Sequence, residues 1–143
     1  MAATRNALVE LFWKIHPLVY RWTGGRLGGQ MMNLPVLLLT TTGRRSGETR
    51  SKALMYLPDG KNYVVIASYL GEARHPAWYL NLQANPQADV LVRDRRVTVT
   101  ARTAEGDERA RLWAEVVQRQ PDYAEYQRRT ERRIPVVVLE PTA

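Results

Sequence analysis

A polar, glycine-containing segment between two apolar runs constrains the fold of this chain more than any other feature. The run Val36–Leu39 precedes it, and the run Ala53–Leu57 follows it. Apolar runs of this length predict buried strands, so the segment between them becomes a turn that is held at both ends. Its four cations and one anion are Arg44, Arg45, Arg50, Lys52 and Glu48.

A turn of this composition is suited to binding anions. Its backbone N–H groups, the Ser46 hydroxyl and the guanidinium groups near Gly47 can all donate to phosphate or carboxylate oxygens. Arg50 and Lys52 point to the same side if they lie on a strand, where a linear anion with several charges could bind along them. The alternative interpretation is a solvated hairpin with scattered charges, and the segment lacks the Walker A pattern.

The composition narrows the classes of function. A length of 143 residues suits one domain, and 45% hydrophobic with 24% charged residues is typical of a globular protein. The net charge of +7 favours an anionic partner, whether nucleic acid, anionic lipid or a polyanionic small molecule. The absence of cysteine excludes disulfides and thiolate chemistry, and two histidines argue against a histidine-rich metal centre. We expect no secretory signal and no membrane span, and hence a cytoplasmic protein.

The periodicity predicts an N-terminal helix followed by strands. Apolar residues spaced by three and four over 4–22 indicate an amphipathic helix, and the glycines between 24 and 29 form a connection. We therefore divide the chain into residues 1–30, the helix and its connection, and a single domain over 31–143. Strands are predicted near 36–41, 50–58, 62–68, 88–93, 96–103 and 135–139, with helices over 76–84, over 107–118 and from Pro121.

The order of these elements predicts an α+β fold. The Asp59-Gly60 pair is a strong hairpin signal, and Asp94-Arg95 joins two further strands by a tight turn. Strands and helices do not alternate, which disfavours a Rossmann-type sheet. About six short, mostly antiparallel strands can close around a packed interior, so we predict a small barrel with helices at its edges.

Two other segments supply candidate site residues. The strand end Ile66–Gly71 and the helix start His75–Asn81 contain small side chains, which let a flat ligand approach the backbone. Tyr123 and Tyr126 are three residues apart on a helix, so both hydroxyls lie on one face and could donate to a developing oxyanion. The alternative for each segment is structural, with Trp78 and the two tyrosines as core or interface residues.

The remaining cations and histidines are interpreted as structural or solvated. Arg128-Arg129 and Arg132-Arg133 flank a helix end, where we expect a solvated face that anionic lipid or a charged ligand tail could use. His16 and His75 each precede a proline. We expect neither histidine to be catalytic.

Three motifs together resemble the deazaflavin-dependent nitroreductase family, actinobacterial and related proteins that are also described as quinone reductases using coenzyme F-420. The resemblance covers the chain from about Leu34 to Pro141, and the order and spacing of the motifs make it specific. The motifs are Thr41-Thr42-Gly43-Arg44-Arg45-Ser46-Gly47 with Arg50, then Ala67-Ser68 with His75-Pro76-Ala77-Trp78-Tyr79-x-Asn81-Leu82-x-Ala84-Asn85-Pro86, and finally Tyr123-x-x-Tyr126 with Arg133-x-Pro135-Val136.

The resemblance implies a split β-barrel of the FMN-binding type. It also implies a cofactor, coenzyme F-420, with a flat deazaflavin ring, a ribityl phosphate and an oligoglutamate tail. The implied phosphate and tail contacts are Arg44, Arg45, Ser46, Gly47, Arg50 and Lys52. The implied ring contacts are Ala53, Leu54 and Met55, together with a pocket of Ile66, Ala67, Ser68, Tyr69, Ala77, Trp78, Tyr79 and Asn81.

The reaction implied by the resemblance is hydride transfer from ring carbon 5 of the reduced deazaflavin to a quinone, a nitroaromatic or an activated enone. Tyr123, together with Tyr126, would close the pocket over this acceptor. Ser68 and Tyr123 would polarise a carbonyl or nitro oxygen and help to deliver the proton. The chain departs from the family at Tyr69-Leu70-Gly71, where the family often has Lys or Asn followed by two glycines, so we expect a reshaped substrate mouth.

Two other interpretations stay open from the sequence. An FMN-dependent split-barrel oxidoreductase of the pyridoxamine-phosphate-oxidase type would share the fold and the phosphate turn, although the cations over 44–52 favour a long polyanionic tail. A non-catalytic module for nucleic acid or an anionic membrane would also suit the charge, and peripheral membrane contact through residues 4–22 stays open. The tryptophans fall mostly on apolar helix faces instead of an exposed stacking surface, so we expect a small-molecule acceptor and no nucleic acid.

Overall fold

The computed structural model describes residues 34–142. In this range the chain forms seven strands and three α-helices. The predicted helix over 4–22, the glycine connection and the boundary between residues 30 and 31 lie outside the described residues. The strands are β1 (Val36–Thr42), β2 (Thr49–Met55), β3 (Leu57–Asp59), β4 (Asn62–Ile66), β5 (Gln87–Val92), β6 (Arg95–Thr103) and β7 (Val136–Pro141). The helices are α1 (Ala77–Ala84), α2 (Gly106–Arg119) and α3 (Asp122–Arg128), and Tyr69–Gly71 forms a short 3-10 turn.

The strands form one antiparallel sheet whose two edges are joined by a single residue. The order is β2-β1-β5-β6-β7-β4-β3, and Tyr56 alone separates the edge strands β2 and β3 in the chain. A flat sheet of this order would be roughly 29 Å wide, which one residue cannot bridge. The sheet therefore curls until its edges meet at Tyr56. This confirms the predicted α+β split barrel.

The strand predicted over 50–58 is divided at Tyr56, which is why there are seven strands instead of about six. The Tyr56 N–H donates to the Pro35 carbonyl at 2.9 Å, and the Tyr56 side chain is buried. The chain then starts β3, which pairs with β4 through Leu57 and Val64. β4 consequently ends close to the point where β2 gives way to β3, and the rest of β2 has a free outer edge within the described residues.

Two apolar cores lie on opposite faces of β4 and β7. Val65 and Val137 contribute to the first core, whereas Val64 and Val138 contribute to the second. Because side chains alternate along a strand, both strands are buried on both faces, which explains their unbroken apolar sequences. The buried members of the first core are Leu37, Leu39, Tyr56, Val65, Ala67, Trp78, Tyr79, Leu82, Ala88, Val90, Val99, Val137 and Leu139. Those of the second are Leu34, Leu57, Val64, Ile66, Ala104, Leu112, Val116, Tyr123, Ile134, Val136 and Val138.

The helices cover these cores, and α3 also packs against the turn that follows β4. Asn85 ends α1, as the Asn-Pro pair predicts, and α1 contacts β1. The α2 helix buries Leu112 and Val116, four residues apart on one face. The α3 helix buries Tyr123 and contacts the Tyr69–Gly71 turn. The turn that follows β4 is therefore supported by α3.

Candidate active site

A groove of about 850 Å³ runs between the outer edge of β2 and the segment that follows β4. Among the described strands β2 pairs with β1 alone, so every second backbone N–H and C=O group of β2 points away from the sheet. The β1–β2 turn, the start of α1 and α3 complete the walls. The lining residues are Thr41, Gly43, Arg44, Arg45, Ser46, Arg50, Ser51, Lys52, Ala53, Leu54, Met55, Ile66, Ser68, Tyr69, Leu70, Pro76, Ala77, Trp78, Asn81 and Tyr123.

The β1–β2 turn is closed by its own hydrogen bonds. The Gly43 N–H donates to the Glu48 carbonyl at 2.7 Å, and the Glu48 N–H donates to Ser46 Oγ at 3.1 Å. Gly47 has a φ of 76°, a conformation that side-chain-bearing residues rarely adopt. The turn predicted from the sequence is therefore an ordered hairpin loop.

The cations of this region gather at one end of the groove. Arg50 lies opposite Thr41 and Lys52 lies opposite Leu39, so the two cations project from the same face of β2, as predicted. Arg50 pairs with Glu48 at 3.1 Å, and both side chains are mostly exposed. Arg45 and Lys52 also line the groove, and within residues 34–142 neither has an acidic partner. The groove therefore has a positively charged end that is open to water.

The buried amide of Asn81 fixes the turn to α1. Its Oδ1 accepts from the Arg44 backbone N–H at 3.1 Å, and its Nδ2 donates to Thr41 Oγ1 at 3.1 Å. Only 4% of Asn81 is exposed, so these partners replace water. Asn81 lines the groove, and it also sets the position of the turn backbone at Arg44.

The opposite end of the groove is buried and carries two hydroxyl groups. Ser68 is 8% exposed and Tyr123 is 6% exposed, and both line the groove beside Ile66 and Trp78. Burial, with smaller contributions from Tyr126 and Asp122, raises the pKa of Tyr123 to about 12. The Tyr123 hydroxyl therefore remains protonated at neutral pH and is available as a hydrogen-bond donor.

The mouth beside this buried end is formed by Tyr69 and Leu70. They are the exposed large hydrophobic residues in the described part of the chain, with 41% and 65% of their surface accessible. Arg74 lies 5.8 Å from the centre of the Tyr69 ring. Tyr69 and Leu70 thus form an apolar lip at the edge of the groove.

Four residues that the sequence assigns to the site do not line the groove. Ala67 is fully buried in the first core, and Tyr79 packs in the same core with its hydroxyl bonded to the exposed Thr103 at 3.0 Å. Gly47 shapes the turn but lies outside the lining. The Tyr126 ring packs edge to face against the Tyr123 ring, with the ring centres 5.9 Å apart. Tyr126 therefore supports Tyr123 and does not itself line the groove.

The lining also contains residues that the sequence reasoning missed: Thr41, Gly43, Ser51, Leu70 and Pro76. Gly43, Ser51, Leu70 and Pro76 are direct neighbours of predicted residues, and Thr41 begins the motif that leads to Arg44, so the motifs were an available signal for all five. Arg132 is a larger omission, because its expected place was a solvated face. Its guanidinium group instead donates to the Ser68 carbonyl at 2.7 Å and contacts His75 Nδ1 at 3.1 Å.

Two other properties bear on the kind of site. In the part of the chain that the structure covers, no helix is long and apolar enough to cross a membrane. Over the same residues, the histidine and carboxylate side chains do not gather into a set that could hold a metal ion. The polar chemistry of the groove therefore rests on guanidinium, ammonium, amide and hydroxyl groups.

Comparisons with known proteins agree on one family and one fold. The family model described as "F420H(2)-dependent quinone reductase" matches residues 12–141. The F420H(2)-dependent quinone reductase Rv1261c of Mycobacterium tuberculosis is 42% identical over 139 residues, which cover 94% of this chain and 93% of that protein. A solved structure of an F420-H2 dependent reductase (FDR-A) is 43% identical with a TM-score of 0.69, covering 74% of this chain and 94% of its own.

More distant structures share the fold alone. A haem storage protein of Vibrio cholerae has a TM-score of 0.61 at 15% identity, covering 78% of this chain and 84% of its own. At this identity the likeness extends to the curled barrel and not to the ligand.

Proposed function

The chain belongs to the F420H(2)-dependent quinone reductase family, and we propose that it is an oxidoreductase that uses reduced coenzyme F-420 to reduce a quinone. One observation carries this proposal. A single groove joins an exposed cationic end, at Arg45 and Lys52, to a buried end with the hydroxyls of Ser68 and Tyr123. A polyanionic redox cofactor and an oxygen-bearing acceptor need these two environments side by side.

The residues of the groove fit this cofactor at both ends. Arg44, Arg45, Arg50 and Lys52 would hold the phosphate and the tail carboxylates, since cations at an exposed surface can follow a flexible anion. The deazaflavin ring needs an apolar slot, which Leu54, Met55, Ile66 and Trp78 supply. The outer edge of β2 adds backbone donors and acceptors for the polar edge of the ring.

Bound reduced F-420 supplies a hydride, and the protein supplies orientation and electrostatics. The protonated Tyr123 hydroxyl would donate to the acceptor oxygen, where negative charge develops. Ser68 would donate a second hydrogen bond to the same oxygen. Burial of both groups strengthens these hydrogen bonds because water is excluded from the site. The proton that completes quinol formation would reach the oxygen at this buried end.

The acceptor class follows from these donors. A quinone carbonyl, a nitro group and an activated enone all place an electron-poor atom beside an oxygen that gains charge. We therefore extend the proposal to nitroaromatic and enone acceptors as alternative substrates. The apolar lip of Tyr69 and Leu70 favours acceptors with an apolar substituent over small polar ones.

The alternative cofactor is FMN, which the fold and the phosphate turn would also accommodate. FMN carries one phosphate, whereas the groove has cations from Arg45 to Lys52 along the turn and β2. Removing the oligoglutamate tail should weaken binding if these cations hold carboxylates. The cation distribution therefore favours F-420.

The direct test is a turnover assay with purified protein, reduced F-420 and menadione. We expect the absorbance of oxidised F-420 to return only when protein and menadione are both present. The same assay with reduced FMN in place of F-420 separates the two cofactors. The proposal would be rejected if the protein turned over with FMN but not with F-420. It would also be rejected if F-420 supported no turnover with any of the three acceptor classes.

A further inference from the structure

The turn after β4 holds a backbone conformation that needs external support. Tyr69, Leu70 and Gly71 have φ values of 46°, 56° and 81°. Glycine adopts such angles without penalty, but two consecutive side-chain-bearing residues do so only when surrounding contacts favour the strained form. Both of these residues line the groove. The position of one groove wall thus depends on whatever supports this turn.

Arg132 binds this turn from outside the groove. Its Nη2 donates to the Ser68 carbonyl at 2.7 Å, and its Nε donates to the Glu72 carbonyl at 2.8 Å, so the guanidinium group spans the turn from one end to the other. Its Nη1 donates to the Ala67 carbonyl at 3.1 Å and lies 3.1 Å from His75 Nδ1. One planar side chain therefore donates to three backbone carbonyls, at both ends of the turn, in a fixed geometry that a lysine cannot reproduce.

The α3 helix supports the same turn from a second side. A Cβ atom on Gly71 would lie 2.6 Å from the Tyr126 carbonyl oxygen and 2.9 Å from Arg129 Cβ, so the turn and the helix are in close contact. Arg129 Nη1 also approaches the Leu70 carbonyl at 3.4 Å. Because Tyr126 also packs on the Tyr123 ring, the turn and the buried hydroxyl share one support.

We propose that Arg132 is a positioning residue of the active site: it holds the left-handed Tyr69–Gly71 turn in place and thereby fixes Ser68 and the apolar lip relative to Tyr123. It acts through the backbone and does not line the groove. The part that concerns catalysis rests on the proposed function, whereas the part that concerns the turn does not. The cationic end belongs to the β1–β2 turn, which Arg132 does not contact, so cofactor capture should be independent of it.

The first test measures the turn in the protein without cofactor. The Gly71 N–H donates to the Ser68 carbonyl at 2.8 Å and the Glu72 N–H donates to the Tyr69 carbonyl at 3.0 Å, so hydrogen exchange at these amides reports the turn. We compare Arg132→Met and Arg132→Lys with Arg133→Met, a matched change at an exposed neighbour. Both Arg132 variants should exchange about tenfold faster or more at residues 71 and 72, with Arg133→Met unchanged.

A rescue variant separates support of the turn from general destabilisation. Leu70→Gly removes the strain of a φ of 56°, so adding it to Arg132→Met should return much of the lost protection at Gly71 and Glu72. If exchange at these amides is the same in wild type and Arg132→Met, the proposal is wrong. It is also wrong if Arg132→Lys, which keeps the charge, behaves as wild type.

The second test uses reduced F-420 and menadione. Arg132→Met should lower kcat/KM for menadione by about tenfold or more, while the Kd of F-420 changes by less than about threefold. An equal loss of cofactor affinity and turnover would overturn the positioning role. If the wild-type protein binds no F-420, the proposed function fails, and the exchange measurement still decides whether Arg132 holds the turn.

Discussion

The two ends of the groove are built on opposite physical principles. At the cationic end, Arg44, Arg45, Arg50 and Lys52 are all exposed, and the ion pair between Arg50 and Glu48 joins two mostly exposed side chains. At the hydroxyl end, Ser68 and Tyr123 are buried and surrounded by core residues. Exposed charges can adapt to a flexible ligand but are screened by salt, whereas buried hydroxyls are rigid and gain strength from the low dielectric.

Under the proposed function, this difference gives the two ends of the groove different roles. Capture of a polyanion needs charge more than exact placement, so the cations can lie on a hairpin loop and an edge strand. Stabilising charge on an acceptor oxygen needs exact placement, so the hydroxyls lie where β4, α1 and α3 converge. Changes at the hydroxyl end should therefore affect turnover, and changes at the cationic end should affect cofactor affinity.

The largest effect is expected at Tyr123. Tyr123→Phe removes the protonated donor and keeps the ring, so kcat should fall by about ten- to a hundredfold with little change in the Kd of F-420. The matched control is Tyr126→Phe, because the Tyr126 side chain lies outside the groove lining. This change should lower kcat by less than about threefold. Steady-state kinetics with menadione measures both. Full activity of Tyr123→Phe would show that the Tyr123 hydroxyl takes no part in the reaction.

The next effect is expected at Asn81, which fixes the β1–β2 turn to α1. Asn81→Leu leaves the Arg44 N–H and the Thr41 hydroxyl without their buried partner, so the free energy of unfolding should fall by about 1–3 kcal/mol. Urea denaturation measures this change. Asn85→Ala is the control, since Asn85 Oδ1 accepts from the Gln87 N–H at an exposed position and its loss should cost less. Equal stability of the two variants would show that the amide does not hold the turn.

A smaller effect is expected at the cationic end. Arg45→Gln should raise the Kd of F-420 by about three- to tenfold at low salt, and the difference from wild type should shrink as the salt concentration rises. Arg95→Gln makes the same change of net charge at an exposed position outside the groove lining. Fluorescence titration of F-420 measures both variants. Equal losses of F-420 affinity in the two variants would mean that the net charge of the protein, and not the position of Arg45, sets the affinity.

The smallest effect is expected from His75. Burial, and then the nearby Arg132 charge, lower the pKa of His75 below 6.5. The ring therefore favours its neutral form in the folded protein. Its Nδ1 accepts a hydrogen bond from Arg132, and its centre lies 4.9 Å from the centre of the Tyr79 ring. Stability from this group is present above pH 6.5 and is lost as the pH falls through the lowered pKa. His75→Asn keeps an acceptor without a titrating ring, so urea midpoints measured across this range should vary less with pH than in wild type.

Much of the fold follows from local sequence signals. The strand β1 at the apolar run from Val36, the Asp59-Gly60 hairpin and the Asn85-Pro86 end of α1 all appear in the structure where the sequence places them. The break at Tyr56 does not follow from sequence, because the apolar run continues through it. A tertiary contact, the Tyr56 N–H on the Pro35 carbonyl, divides the strand.

The site was predictable where residues that are close in the chain line the groove together. The turn from Arg44 to Lys52 is of this kind. Ser68 and Tyr123 are distant in the chain, and only the family resemblance placed them in the same site. Arg132 was not predictable, because its partners lie about 60 residues earlier in the chain and are backbone carbonyls. A carbonyl has no sequence signature, so an arginine that binds several of them is indistinguishable from a solvated one.

The most direct test of the central claim is a titration of the protein with oxidised F-420 carrying its oligoglutamate tail, with tail-free F-420 and with FMN, each at low and high salt. We predict saturable binding of the full cofactor that is tighter than that of the other two ligands, with the advantage of the tail reduced at high salt. Equal affinity for F-420 with and without its tail, or tighter binding of FMN, would contradict the assignment of the cationic end to the cofactor tail.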